Sequence, residues 1–310
     1  MDKLIIATRG SKLALWQSEH IKARLQELSP GLEVELKIIV TSGDKIQDVA
    51  LAKIGGKGLF LKELEEAMLR GEAHMAVHSL KDVPTVMPEG LPLAAITERE
   101  DVRDAMLSEK YESVEALPEG AVVGTSSLRR KMQLLMLRPD LVIQDLRGNV
   151  DTRIRKLKEG QFDAIILAAA GINRLGLSDA VAHVYPIMPD QMIPSMGQGA
   201  LGLQTIEDAE VFELVHRLNH KETEIEVTIE RDFVDILEGG CHVPIGVNAS
   251  VKGNGDVVSQ CTLGLPNALE IISEKIQGKE EEYKVLGKEL AQKVIDKGAR
   301  ELLARADKMD

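Results

Sequence analysis

The chain has 310 residues, a formal charge of −12, and 44% hydrophobic against 28% charged residues, a balance that suits a soluble globular protein of two or three domains. The acidic excess argues against a general nucleic-acid surface, and no apolar run approaches the ~20 residues that span a bilayer. Met1-Asp2-Lys3-Leu4-Ile5-Ile6 reads as a first strand and not as a signal peptide, so a cytoplasmic protein is expected, with Cys241 and Cys261 kept as free thiols.

Leu4 to Thr8 has the composition of a buried strand, and Arg9-Gly10-Ser11 leads into a helix with Leu13, Trp16, Ile21 and Leu25 on one side. Arg9 and Ser11 thus fall where a strand ends and a helix begins, a place whose amide groups and dipole favour an anion. Alternation from Glu33 to Val40 predicts a second strand and so a βαβ start. Lys53-Ile54-Gly55-Gly56-Lys57-Gly58 lacks the Walker spacing and reads either as a mobile loop or as a lid that contacts an anion.

His74 to Leu80 predicts a strand that runs into Lys81-Asp82-Val83-Pro84. A His74/His78 pair spaced by four suits a metal only on a helix, so no metal is expected. Asp82 lies at the carboxyl end of a strand, the edge where open α/β sheets place their sites, although a turn or cap role is open to it as well.

The charged run Glu98 to Asp104 reads as a crossing between domains or a solvated turn. The pattern then restarts. Ala121 to Thr125 predicts a strand, Ser126-Ser127-Leu128-Arg129-Arg130 opens a helix, and Leu141 to Leu146 predicts a strand that ends at Arg147-Gly148-Asn149. A helix with Arg153 and Arg155 follows, then a buried strand over Phe162 to Ala168 with Arg174 beyond. In a parallel sheet those ends share one rim, so Arg129, Arg130, Arg147, Arg153 and Arg174 can converge on carboxylates instead of scattering over the surface.

Val184 to Pro194 reads as a connection, and Ser195 to Gly202, with Gln198 in it, as a glycine-rich turn or hinge. A helix from Thr223 leads to Glu238-Gly239-Gly240-Cys241-His242-Val243-Pro244, where paired glycines and a proline constrain a loop that presents a thiol. By itself Cys241 could equally be a buried filler. Runs near Val247–Val251, Val257–Leu263 and Ile271–Ile276 predict a small antiparallel sheet, and Tyr283 to Ala304 a closing amphipathic helix.

Taken together, Ala7-Thr8-Arg9-Gly10-Ser11, Lys53 to Phe60, Ala76-Val77-His78-Ser79-Leu80-Lys81-Asp82-Val83-Pro84, Gly124 to Arg130, Leu146-Arg147-Gly148-Asn149-Val150, Gly197-Gln198-Gly199-Ala200 and Leu237 to Gly246 make the chain resemble the porphobilinogen deaminases. That family joins four porphobilinogens head to tail, with loss of ammonia, into hydroxymethylbilane on the route to haem. The resemblance runs from Ile5 to about Gly246 and departs at Gln204, where an acidic residue is expected.

The resemblance implies an α/β fold of two periplasmic-binding-protein-like lobes with the site between them, plus a smaller α+β C-terminal domain. The implied domains are 1–98 with 195–215, then 99–194, then 216–310. It implies a covalent dipyrromethane cofactor, held by a thioether to Cys241, as primer.

Loss of ammonia leaves a cation conjugated with the pyrrole nitrogen, which a carboxylate beside the N–H would stabilise, and Asp82 is the candidate. Every pyrrole brings an acetate and a propionate. Arg9, Ser11, Lys81, Ser126, Ser127, Arg129, Arg130, Arg147, Arg153 and Arg174 are the implied partners of those acids, with Lys53, Lys57 and Gln198 on closing loops. The expectation is a monomer acting on a small molecule, without nucleic acid or membrane. A dicarboxylate-binding module would explain the arginines but leave Cys241 and Asp82 idle, and a cysteine hydrolase lacks a convincing histidine partner.

Overall fold

The computed structural model describes residues 1–45, 61–237 and 243–309; Lys53, Lys57 and Cys241 lie outside them. The strands are β1 (Lys3–Thr8), β2 (Glu33–Ile38), β3 (Met75–Ser79), β4 (Leu93–Ile96), β5 (Asp104–Ser108), β6 (Val122–Gly124) and β7 (Val142–Gln144). They continue as β8 (Ala164–Ala168), β9 (His183–Ile187), β10 (Leu201–Thr205), β11 (Ile245–Val251), β12 (Asp256–Gly264) and β13 (Ile271–Lys279). The chain divides into two compact units, Met1–Glu100 with Ala200–Glu224, and Asp101–Gly199 with Ile225–Asp310.

The first unit is a lobe built on the sheet β2-β1-β3-β10-β4. β1 runs parallel to β2 and β3, whereas β10 enters antiparallel to β3 and β4. Residues alternate faces along a strand, so Leu4 and Ile6 join Ile21 and Leu25 of the helix Lys12–Leu28 on one side. On the other side Ala7 and Ala76 meet Leu64 and Met68 of the helix Lys62–Leu69. Trp16 does not share the buried stripe expected of it: it is 38% exposed and stacks on His20, while Gln17 and Ser18 face inward.

The second unit holds a lobe of the same design, β7-β6-β8-β5-β9, with β6 parallel to β7 and β8, and β5 antiparallel to β8 and β9. Its two faces are covered in the same manner, by Ile154, Leu157 and Ile172 on one side and Leu134 on the other. Two readings change here. The charged run read as a crossing between domains or a solvated turn ends in β5, because Asp104 opens an apolar strand, and the connection expected over 184–194 begins as the edge strand β9, where Pro186 is tolerated.

The same unit carries the antiparallel sheet β11-β12-β13, as the alternating runs predict. Its core gathers Ile229 and Phe233 from the helix Lys221–Ile236 with Val247, Leu263, Leu286 and Leu290. The closing helix is not continuous. It breaks between Tyr283–Ile295 and Ala299–Ala306, where Gly298 takes φ +89°, a left-handed conformation that glycine adopts without a Cβ clash.

Candidate active site

In the first lobe, the parallel pairing Ile6 with Met75 and Ala7 with Ala76 brings the carboxyl ends of β1 and β3 to one rim. Beyond β1, Ser11 caps the helix Lys12–Leu28, its Oγ accepting the Ala14 N–H at 3.3 Å. That hydroxyl keeps its own proton to donate. Arg9 is half-buried just before it.

Beyond β3 the chain tightens into a 3-10 turn, Leu80–Asp82, closed by the Val83 N–H on the Leu80 carbonyl at 3.0 Å. Leu80 is fully buried and its N–H bonds the Ala200 carbonyl at 3.0 Å, so the turn is held from below. Lys81 is left half-buried and Asp82 exposed. The Gln17 amide donates to Ser79 Oγ at 3.0 Å and ties the helix to the end of β3.

In the second lobe the corresponding rim carries Ser126 and Ser127 after β6, Arg147 after β7 and Arg174 after β8. Ser127 repeats the role of Ser11: it caps the helix Leu128–Leu137 by accepting the Arg130 N–H. Ser126 is engaged with the backbone, its Oγ donating to the Leu146 carbonyl at 2.9 Å and accepting the Leu146 N–H at 3.1 Å. It thereby fixes the residue before Arg147, which is half-buried. Arg153, on the helix Val150–Lys158, points Nε back to the Gly148 carbonyl at 2.7 Å, and Arg174 Nη2 donates to the Gly199 carbonyl at 2.6 Å.

Arg129 and Arg130 sit differently. Both are buried, at 5% and 6% exposure, against Asp104, which is 0% exposed. Asp104 accepts Arg129 Nη1 at 2.6 Å on one oxygen, and Arg130 Nη2 at 2.7 Å and Nε at 3.0 Å on the other. Arg129 Nη1 also reaches the Ile193 carbonyl, and Arg130 Nη1 the Ile166 carbonyl. Burial lowers the Arg130 guanidinium from its usual range, while Asp104 acts in the opposite direction. Gln198, expected on a closing loop, is buried too and donates Nε2 to Asp104 at 3.1 Å and to the Val102 carbonyl at 2.8 Å.

Asp104 and the buried Glu230 are polar residues that sequence reasoning missed. The signals were slight: an acid heading the apolar run Ala105-Met106-Leu107, and an acid in helical register with Glu226 beside the buried line Ile225, Ile229 and Phe233.

Two further groups narrow the chemistry. Cys261, in the core of the antiparallel sheet, has its thiol pushed up to about 12 by burial, which leaves almost no thiolate at neutral pH. Burial pushes the His78 imidazole down to about 4, and His78 faces Gln204 Oε1 at 3.0 Å, whose amide in turn donates to Glu65 at 3.0 Å and the Leu91 carbonyl. An acid at position 204 would confront Glu65 instead. No cluster of metal-ligating side chains occurs among the described residues.

Two lobes of one strand order, each with helix starts and cationic side chains at a sheet rim, and a separate antiparallel three-stranded sheet define a two-lobed α/β protein with a smaller α+β part. Residues 4–213 match the family model "Porphobilinogen deaminase, dipyromethane cofactor binding domain" and residues 224–296 the model "Porphobilinogen deaminase, C-terminal domain". The chain belongs to the porphobilinogen deaminase family.

Curated relatives include the porphobilinogen deaminases of Sulfurimonas denitrificans, 69% identical over 100% of this chain and 99% of that one, and of Nitratiruptor sp., 62% identical over 99% and 98%. That of Campylobacter jejuni is 55% identical over 99% of each chain. The Bordetella pertussis BvgS periplasmic VFT2 domain is 14% identical, with a TM-score of 0.43 over 70% of this chain and 86% of that one. Membership makes the chain an enzyme of tetrapyrrole biosynthesis that polymerises porphobilinogen with a dipyrromethane cofactor. The donors at the second lobe's rim suit a group with acidic arms: a serine-capped helix start and the guanidinium groups of Arg147, Arg153 and Arg174.

Proposed function

We propose that Asp82 is the catalytic carboxylate of this polymerisation, and that Cys241 carries the dipyrromethane through a thioether. The observation that carries the reading is the exposed Asp82 on a turn whose base is buried and hydrogen-bonded. A carboxylate so held can accept a pyrrole N–H and offset the positive charge that develops as ammonia departs, with little reorganisation. It can also take the proton that the attacking carbon sheds. When bound, dipyrromethane supplies the free pyrrole carbon from which the chain grows.

The choice of Cys241 is supported by the burial of Cys261, whose thiol is protonated and enclosed. Arg9, Lys81, Arg147, Arg153 and Arg174 receive acetate and propionate groups, and Ser11 and Ser127 donate their hydroxyl protons to the same acids. Arg129 and Arg130 contribute positive charge from positions set by Asp104, and Ser126 acts by orienting Arg147. Lys53 and Lys57 belong to closing segments in this reading, whereas the buried Gln198 acts by holding Asp104.

The reading also includes three domains, 1–98 with 195–215, 99–194 and 216–310, and a cytoplasmic monomer that engages neither nucleic acid nor membrane. In support, no helix among the described residues is long and apolar enough to cross a membrane.

The test is Asp82→Asn. Turnover of porphobilinogen should fall at least about 100-fold, the usual scale for a lost general acid–base or charge-stabilising group. The purified variant should still carry a two-pyrrole mass increment, and its urea midpoint should match the unsubstituted chain. Near-normal turnover removes Asp82 from the mechanism, and an increment that persists in Cys241→Ala moves the attachment elsewhere.

A further inference from the structure

We infer that Glu230 is a positioning residue for the reaction, acting through the turn Ser195–Gly199 on the arginines of the second lobe. Glu230 lies on the helix Lys221–Ile236 and is 0% exposed. Its Oε2 accepts the Gly197 N–H at 2.7 Å, while Oε1 accepts the Ala249 N–H at 2.9 Å and Asn248 Nδ2 at 3.3 Å. One carboxylate therefore holds the turn with one oxygen and β11 with the other.

The same turn hands its next two residues to the guanidinium groups. Gln198 donates to Asp104, which grips Arg129 and Arg130, and the Gly199 carbonyl accepts Arg174 at 2.6 Å. Three arginines thus take their geometry from five residues, whose conformation depends on Gly197 at φ +65° and on the acceptor opposite its N–H. A lone backbone N–H could be satisfied by water or a neutral side chain. Burying a carboxylate for the purpose costs far more unless its donors are fixed, so the contact is rigid in direction. A shift in the turn passes to Arg174 directly and to Arg129 and Arg130 through Asp104.

The inference rests on the reading that Arg174 receives acidic arms of substrate and cofactor and that Arg129 and Arg130 supply positive charge beside them. Glu230→Gln keeps the shape but turns an NH2 donor toward one of the two backbone N–H groups. In the cofactor-loaded protein, KM for porphobilinogen should rise on the order of tenfold while kcat stays within about threefold, the split expected when binding geometry loosens and the reacting groups stay intact. Gln198→Leu, which breaks the path farther along, should give the same split. The double variant should be no worse than the poorer single one, because both cut one chain of contacts.

Hydrogen–deuterium exchange supplies a readout that does not depend on turnover: Glu230→Gln should speed exchange over 195–199 and also over 128–131. An unchanged KM with only a lower melting temperature, multiplying effects in the double variant, or unaltered exchange over 128–131 overturns the inference. If Glu230→Gln does not fold, Gln198→Leu decides alone through its KM. Coupled exchange in a chain that neither carries the two-pyrrole increment nor consumes porphobilinogen supports the mechanical link and sinks the functional reading instead.

Discussion

The two lobes share a strand order but use acidic residues in opposite ways. In each sheet an antiparallel strand enters beside the third parallel strand, so that Leu201 of β10 stands opposite Ser79 of β3, and Asp104 of β5 opposite Ala168 of β8. At the entering position the first lobe has a leucine and the second a fully buried aspartate. Three residues past the paired position the relation inverts: the first lobe presents the exposed Asp82, where the second has Gly171. An acid in solvent at a strand end can meet a ligand, whereas an acid enclosed by guanidinium groups organises them. One scaffold therefore yields a rim with an exposed carboxylate and a rim with ordered positive charge.

The sharpest way to break this contrast is to remove each acid in turn. Asp104→Ala would leave two buried guanidinium groups facing a void, and breaking a buried pair in this manner typically costs about 3–5 kcal/mol. Urea unfolding should register that loss, whereas Asp82→Ala should stay within about 0.5 kcal/mol, as expected of an exposed side chain. Equal losses would mean that the two acids are not divided between structure and chemistry.

A second difference concerns pH. His78, one residue before Ser79 on β3, has Leu167 as its counterpart on β8. Burial holds the folded His78 near 4, below its ordinary value of 6.5. Above about pH 6.5 neither the folded nor the unfolded chain binds that proton, and stability is unaffected. As pH falls the unfolded chain takes it up first, so stability is lost progressively between about 6.5 and 4, reaching about 2 kcal/mol at pH 5. His78→Gln should remove that part of the slope. Parallel stability curves for the two proteins between pH 7.5 and 5 would show that His78 is not held neutral.

The contrast between lobes was only half legible in the sequence. The parallel strands, the helix starts at Ser11 and Ser127 and the placement of Asp82 follow from local pattern, because each rests on neighbours a few residues away. The enclosure of Arg129 and Arg130 does not, since their partner lies 25 and 26 positions off in a run that reads as a charged surface. β9 was hidden by its proline and its edge position, and the break at Gly298 by flanking residues that continue the amphipathic pattern. Glu230 shows the same limit: an acid on a helix declares its partner only when β11 and the Ser195–Gly199 turn are folded against it.

The smallest effect separates capping from ligand binding, and it should be equal in the two lobes. Ser11 and Ser127 each accept the N–H three residues on, at 3.3 and 3.4 Å, so either serine replaced by alanine should cost about 1 kcal/mol, the ordinary value of an N-cap. Aspartate caps as well as serine and should restore that stability at both positions. It has no proton to give to an incoming carboxylate and adds a negative charge beside it, so Ser127→Asp and Ser11→Asp should raise KM for porphobilinogen even as the melting temperature recovers. If the aspartate variants regain both stability and KM, the serines are caps and nothing more, and the acids of the substrate are met by the arginines alone.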